Sequence, residues 1–141
     1  MRKFFYKVTY QKENNGGNFD LGIFSTKTNA QKKIDSTSKN KGFEDIECFK
    51  VVKFGVDFTV EIDKRKVKLY SVAHEYSIEE EGEIYDIINI FGIYSSKTEA
   101  MSHLRHLKKH SRIGRKYPDN FIVFQTKVDN YLYWSEGYDA Y

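Results

Sequence analysis

Gly22-Ile23-Phe24-Ser25-Thr26-Lys27-Thr28-Asn29-Ala30 is matched, 70 residues later, by Gly92-Ile93-Tyr94-Ser95-Ser96-Lys97-Thr98-Glu99-Ala100. Six of the nine positions are identical, and Phe24/Tyr94 and Thr26/Ser96 are conservative exchanges. A self-match of this length at one offset is the signature of an internal repeat. Downstream, Ile34 aligns with Leu104 at the same offset. Upstream, Phe5-Tyr6-Lys7-Val8 aligns with Leu69-Tyr70-Ser71-Val72 at an offset of 64. The second copy therefore carries six extra residues, which fall in Ser77–Asp86. A hairpin loop absorbs such an insertion at little cost in stability.

The repeated stretch has a local physical reading. Ile23-Phe24 and Ile93-Tyr94 close β-branched and aromatic runs of the kind that form strands. Thr26 and Ser96 are placed as helix N-caps, with hydroxyls that accept from free backbone N–H groups, and Ser96-Lys97-Thr98-Glu99 is a capping box. Ala100, Leu104 and Leu107 then share one helix face; Ala30, Ile34 and Thr37 form a thinner stripe. Gly42 and Gly114 are expected as stop signals. A strand is expected after each helix, at Ile46–Phe54 and at Phe121–Val128, with aromatic segments at Val56–Ile62 and Tyr131–Trp134. The fold class that follows is α+β, a tandem pseudo-repeat of strand–strand–helix–strand units with antiparallel sheet. Residues 1–66 form repeat unit 1 and residues 67–141 form repeat unit 2. Asp63-Lys64-Arg65-Lys66 is a short charged turn between them, and half-size units bury little surface alone, so the two are expected to pack as one compact domain.

Composition narrows the function classes. The formal net charge is +3, with 30% charged and 16% aromatic residues. Residues 1–66 hold 14 Lys/Arg against 9 Asp/Glu, and residues 67–141 hold 9 against 11. Neither half is basic enough to announce nucleic-acid binding. No apolar run approaches the roughly 20 residues of a membrane span. The apolar opening at Phe4–Val8 is interrupted too early for a signal peptide and reads as a strand. Cys48 is the sole cysteine. It excludes an intramolecular disulfide, fits a reducing, cytoplasmic compartment, and in its strand-like setting reads as a small buried hydrophobe.

The second copy, read in order, gives His74-Glu75-Tyr76, Gly92-Ile93-Tyr94-Ser95-Ser96, Tyr117-Pro118-Asp119-Asn120-Phe121 and Trp134-Ser135-Glu136-Gly137-Tyr138. Over residues 67–138 this order resembles a family of small bacterial domains of unknown function. The first copy keeps the helix start of that pattern but lacks His-Glu-Tyr, Pro-Asp and the closing Trp motif. The family assigns no catalytic residues, so the resemblance implies none here. In size and style the chain is also similar to immunity proteins, the toxin inhibitors encoded beside the toxins they neutralise.

Four groups of residues carry candidate chemistry. His103, His106 and His110 are spaced for shared helix faces. A zinc ion would need a further ligand, and Arg105, Lys108, Lys109 and Arg112 repel a cation, so a solvated basic face is the simpler reading and no metal or cofactor is expected. His74-Glu75 offers a base beside an acid, but neighbours on a strand point to opposite faces, which favours a structural His74. No phosphate loop, nucleophile elbow or zinc-protease motif occurs, and the chain is not expected to be an enzyme; a small enzyme centred on His74 is the weakest of the alternative readings. The basic helices, Arg105, Lys108, Lys109 and Arg112 foremost, with Arg115, Lys116 and, in copy one, Lys27, Lys32, Lys33, Lys39 and Lys41, could contact phosphates; this gives a nucleic-acid-binding alternative. The acidic stretch gives the favoured one. Glu79, Glu80, Glu81, Glu83 and Asp86, on an expected loop with Tyr85 as aromatic anchor, are the residues expected to bind a protein partner, in the concrete case a cognate bacterial toxin covered by occlusion.

Overall fold

Six strands and three α-helices make up the described part of the chain, an α+β protein with antiparallel sheets. The computed structural model describes residues 1–11 and 18–131, without the side chains of residues 18 and 85–88. None of its helices is long and apolar enough to cross a membrane. The chain divides into two compact units, Met1–Val67 with Lys127–Tyr141, and Lys68–Thr126.

Unit 1 is built on β1 (Arg2–Gln11), β2 (Asn18–Phe24), α1 (Lys27–Thr37) and β3 (Phe49–Asp57), with sheet order β2-β1-β3. The central strand β1 buries apolar side chains on both faces, although Lys3, Lys7 and Thr9 share the second face with Phe5. One face supplies Val8 and Tyr10, which join Leu21, Phe24, Ala30, Ile34 and Phe43 in a core beneath α1. The other supplies Phe5, which packs on Phe54 and Phe58. Thr26 caps α1: its Oγ1 accepts from the Asn29 N–H at 3.0 Å. Beyond the helix, Asn40 donates to the carbonyls of Ser36 and Thr37, and Gly42 turns the chain with φ +95°, a left-handed conformation open to glycine.

Unit 2 repeats this order with β4 (Lys68–Glu80), β5 (Glu83–Tyr94), α2 (Lys97–His110), a short α3 (Arg112–Lys116) and β6 (Phe121–Lys127), and sheet order β5-β4-β6. Val72, Ala100 and Leu104 are its buried centre, flanked by Tyr70, Tyr94, Met101, Leu107, Phe121 and Val123. Ser96 Oγ accepts from the Glu99 N–H at 3.2 Å. The hairpins of the two units share a register. Tyr6, Lys7 and Val8 face Phe24, Ile23 and Gly22, and Tyr70, Ser71 and Val72 face Tyr94, Ile93 and Gly92. In both a bulge follows at once, between Val8 and Thr9 and between Val72 and Ala73. It leaves Leu21 and Phe91 as the extra residue of the second strand.

Several expectations are corrected. Ile46-Glu47-Cys48 is a 3-10 turn rather than the start of a strand, because the Asp45 carboxylate accepts from the Glu47 N–H and closes the turn. Cys48 is half-buried against the first core. Gly114 is not a stop signal. The Ser111 hydroxyl donates to the Leu107 carbonyl at 2.6 Å and accepts from the Gly114 N–H at 2.9 Å, ending α2 and starting α3. Gly114 is needed for close approach: a Cβ there would lie 2.0 Å from the Leu107 carbonyl oxygen. The chain from Lys127, assigned by the repeat to the second unit, packs on the first. Asp129 donates its N–H to the Ile23 carbonyl at 2.9 Å, and its carboxylate accepts the Ser25 N–H and hydroxyl at 2.9 and 2.7 Å. The expected closing motif Trp134–Tyr138, and the aromatic segment after Tyr131, lie outside the described residues.

Candidate functional site

The acidic stretch forms strands, not a loop. Glu79 and Glu80 end β4 and Glu83 begins β5, so only Glu81-Gly82 makes the turn. Both turn residues have positive φ, +54° and +80°. That is the twist a two-residue hairpin needs, and Gly82 adopts it without penalty. Glu81 does not, since a non-glycine residue held in that region costs roughly 1–2 kcal/mol. The strands continue to the tip because the flanking Ser77-Ile78 and Ile84-Tyr85-Asp86-Ile87-Ile88 are rich in β-branched and aromatic residues that extend pairing. Glu80 faces Glu83, Glu79 faces Ile84, Ile78 faces Tyr85 and Ser77 faces Asp86.

This register gathers three carboxylates on the last two rungs, with a fourth, Glu81, in the turn. Glu79, Glu80, Glu81 and Glu83 are all exposed, and among the described residues Glu79, Glu80 and Glu81 make no ion pair. Like charges directly opposite one another destabilise a hairpin. Beside them Ile84 is 74% exposed and Ile78 37%. The tip thus combines exposed negative charge with apolar surface. The side chains of Tyr85 and Asp86 lie outside the described residues; their backbones pair with Ile78 and Ser77.

The basic residues are on a different element. Arg105, Lys108 and Lys109 are exposed on α2 and Arg112 is exposed at the start of α3. Among the described residues none of the four is in an ion pair. His106 and His110 are exposed with ring centroids 4.5 Å apart. His103 turns instead to the Tyr94 hydroxyl through Nδ1. Burial, with His106 nearby, holds its pKa below the ordinary histidine value. No group of three or more His, Cys, Asp or Glu among the described residues is arranged to hold a metal ion. In unit 1, Lys27, Lys32, Lys39 and Lys41 are exposed, but Lys33 is not part of the basic surface. It is fully buried, and its Nζ donates to the Tyr131 carbonyl at 2.5 Å. Desolvation lowers its pKa to about 8.

His74 is fully buried on β4 and Glu75 beside it is exposed, as strand alternation demands, so they form no acid–base pair. His74 Nε2 lies 3.0 Å from the Tyr117 carbonyl oxygen. A carbonyl only accepts, so Nε2 carries the proton. Phe121 packs edge-on to the ring at 4.7 Å, and Tyr76 stacks on Tyr117 at 5.5 Å. His74 thereby pins the Tyr117-to-Phe121 step to β4. Its Nδ1 has no protein partner.

Asp129 was not among the expected functional positions, and Lys33 was expected on the basic surface rather than in the core. Lys33 is legible as the missing member of the Ala30, Ile34, Thr37 stripe, at the i+3 position. Asp129 offers no local signal, because its partner Ser25 is 104 residues away. An open depression of about 260 Å³ on α2, lined by Lys97, Thr98, Met101 and Arg105, is smaller than the roughly 300–1,000 Å³ of ligand pockets. No protein-family model matches this chain, and no curated protein or solved structure does either.

Proposed function

We propose that this chain is a noncatalytic protein-binding protein whose acidic hairpin arm engages a basic surface on its partner. Its concrete role in this reading is that of a bacterial cytoplasmic immunity protein, which neutralises a toxin by covering its active or substrate-binding face. The supporting observation is the hairpin tip. Glu79, Glu80, Glu81 and Glu83 are gathered at one hairpin end, Glu81 at a cost in turn strain, next to an Ile84 that is 74% exposed. Charge at a rim beside exposed apolar area is the makeup of an interface. The same reading takes the two units as diverged copies of one strand–strand–helix–strand unit, on the strength of their shared hairpin register and bulge.

The test uses the product of the gene adjacent to this one. Association should be fast at low salt and slow as salt rises. Replacing Glu79, Glu80, Glu81 and Glu83 by Gln should leave the fold intact and lower the association rate on the order of tenfold at low salt. An unchanged rate would remove the arm from the interface. A second reading, nucleic-acid binding, is favoured by the exposed, unpaired Arg105, Lys108, Lys109 and Arg112. It requires that single-stranded RNA bind at low salt and that neutralising those four flatten the salt dependence; no binding at low salt would end it.

A further inference from the structure

The two sheets end in edge strands, β2 and β5, that share a register but not a cover. Along β2 runs the segment Asp129–Tyr131. Asp129 holds the Ile23 carbonyl and both donors of Ser25. The Tyr131 ring packs 5.4 Å from that of Phe24, and Lys33 Nζ holds the Tyr131 carbonyl. Leu21, Gly22, Ile23, Phe24 and Ser25 are all buried. On β5 the corresponding residues are Phe91, Gly92, Ile93, Tyr94 and Ser95, and every one is only half-buried. Among the described residues no hydrogen bond reaches Ser95 or the Ile93 carbonyl from outside the β4–β5 hairpin.

We propose that Gly92–Ser95 is a docking edge that takes a turn-forming segment of a protein partner, as β2 takes Asp129–Tyr131, where Asp129 has a positive φ of +60°. An open sheet edge supplies main-chain hydrogen bonds to a segment laid beside it, and side-chain contacts select the sequence of that segment. The occupied edge defines the pattern: a short polar side chain that accepts from the serine, then an aromatic ring two residues later. One difference between the units sharpens it. In unit 1 the Asn29 amide donates to Ser25 Oγ at 3.3 Å, in support of the Asp129 carboxylate. The same position, third from the helix cap, is Glu99 in unit 2. A carboxylate bound at Ser95 would meet Glu99 as a like charge. An amide satisfies both groups: its oxygen accepts the Ser95 N–H and its NH2 donates to Glu99. The partner segment is therefore Asn-x-aromatic with the Asn at positive φ, a conformation that asparagine tolerates, rather than Asp-x-aromatic.

The experiment is a titration of the 15N-labelled full chain with two synthetic peptides. One has the sequence of residues 127–131, Lys-Val-Asp-Asn-Tyr; in the other, Asn replaces the Asp. Saturable amide shifts are expected at Ile93–Ser96, with the Asn peptide binding roughly threefold or more tighter. Glu99→Gln, at an exposed position, should abolish the preference. Ser95→Pro removes the donor N–H and should remove binding of both peptides. Because proline could disturb the hairpin, the Glu99→Gln result stands as an independent arm. The proposal fails if no saturable shift occurs at Ile93–Ser96. It also fails if the shifts fall on Ile23–Ser25 alone, or if the two peptides bind equally. Concentration-dependent shifts at Ile93–Ser96 without peptide would make a second copy of the chain the occupant and overturn the assignment to a different protein.

Discussion

Units 1 and 2 place nearly the same hairpin under a helix, yet they handle charge in opposite ways. Unit 1 keeps Lys27, Lys32, Lys39 and Lys41 outside but draws two charged groups inward. Lys33 is buried against the Tyr131 carbonyl, and Asp129 is spent on Ser25. Unit 2 puts its charges outside, acidic on the hairpin tip and basic on α2 and α3, and fills the Lys33 position with His103, joined to Tyr94. The shared register positions residues; it does not dictate what they do. Where a unit spends its polar groups internally it becomes self-sufficient, and where it leaves them in solvent it keeps surface for something else.

The comparison can be broken most directly at the two cores. Leu104→Ala should cost about 2–5 kcal/mol, because Leu104 is 7% exposed and its loss leaves a cavity beside Val72 and Ala100. Ile34→Ala, equally buried in unit 1, should fall in the same range. Chemical denaturation measures both. A cost under 1 kcal/mol for either would mean that its helix is not seated on its sheet as described.

A smaller effect sharpens the charge contrast. The buried Lys33 has a pKa lowered to about 8 from 10.5. Between these values the unfolded chain binds more protons than the folded one, so this residue's contribution to stability rises with pH. Below pH 8 the lysine is charged in both states and burial carries its full cost; above 10.5 that cost is gone. Relative to Lys33→Met, the natural chain should gain on the order of 2–3 kcal/mol across the window. Parallel stability curves for the two proteins would show that Lys33 does not titrate there. Smaller again, Asp129→Ala should destabilise by roughly 1–3 kcal/mol, since it strips the part-buried Ser25 N–H of its acceptor. Its counterpart in unit 2, Ser95→Ala, should change stability by less than about 0.5 kcal/mol, since no partner is lost.

What was legible in the sequence was local. Thr26 and Ser96 announce the helix starts because capping involves residues three apart. The Ala30/Ile34 and Ala100/Leu104 pairs announce the buried faces because a helix repeats on that scale. The acidic stretch was legible as an exposed charge cluster. Its strand geometry was not, since a run of glutamates resembles a loop until the Glu81-Gly82 turn is seen to need only two residues. Lys33 was misplaced on the surface because its burial depends on a carbonyl 98 residues away. The reassignment of the chain after Lys127 rests on contacts of the same long range, which no window of neighbouring residues contains.

The Ser25–Asp129 contact also fixes an order of events during synthesis. Unit 1 is discontinuous in the chain: its two parts are separated by the whole of Lys68–Thr126. A ribosome adding roughly 5–20 residues per second exposes β1, β2, α1 and β3 first. It then makes all of unit 2, and only afterwards releases the residue that clamps Ser25. Throughout that interval the outer edge of β2 lacks the cover that Asp129–Tyr131 gives it. A nascent chain with an unguarded sheet edge is prone to pair with its neighbours on a polysome. The finished protein retires that edge with its own chain, so the hazard at β2 is confined to the seconds before residue 129 emerges.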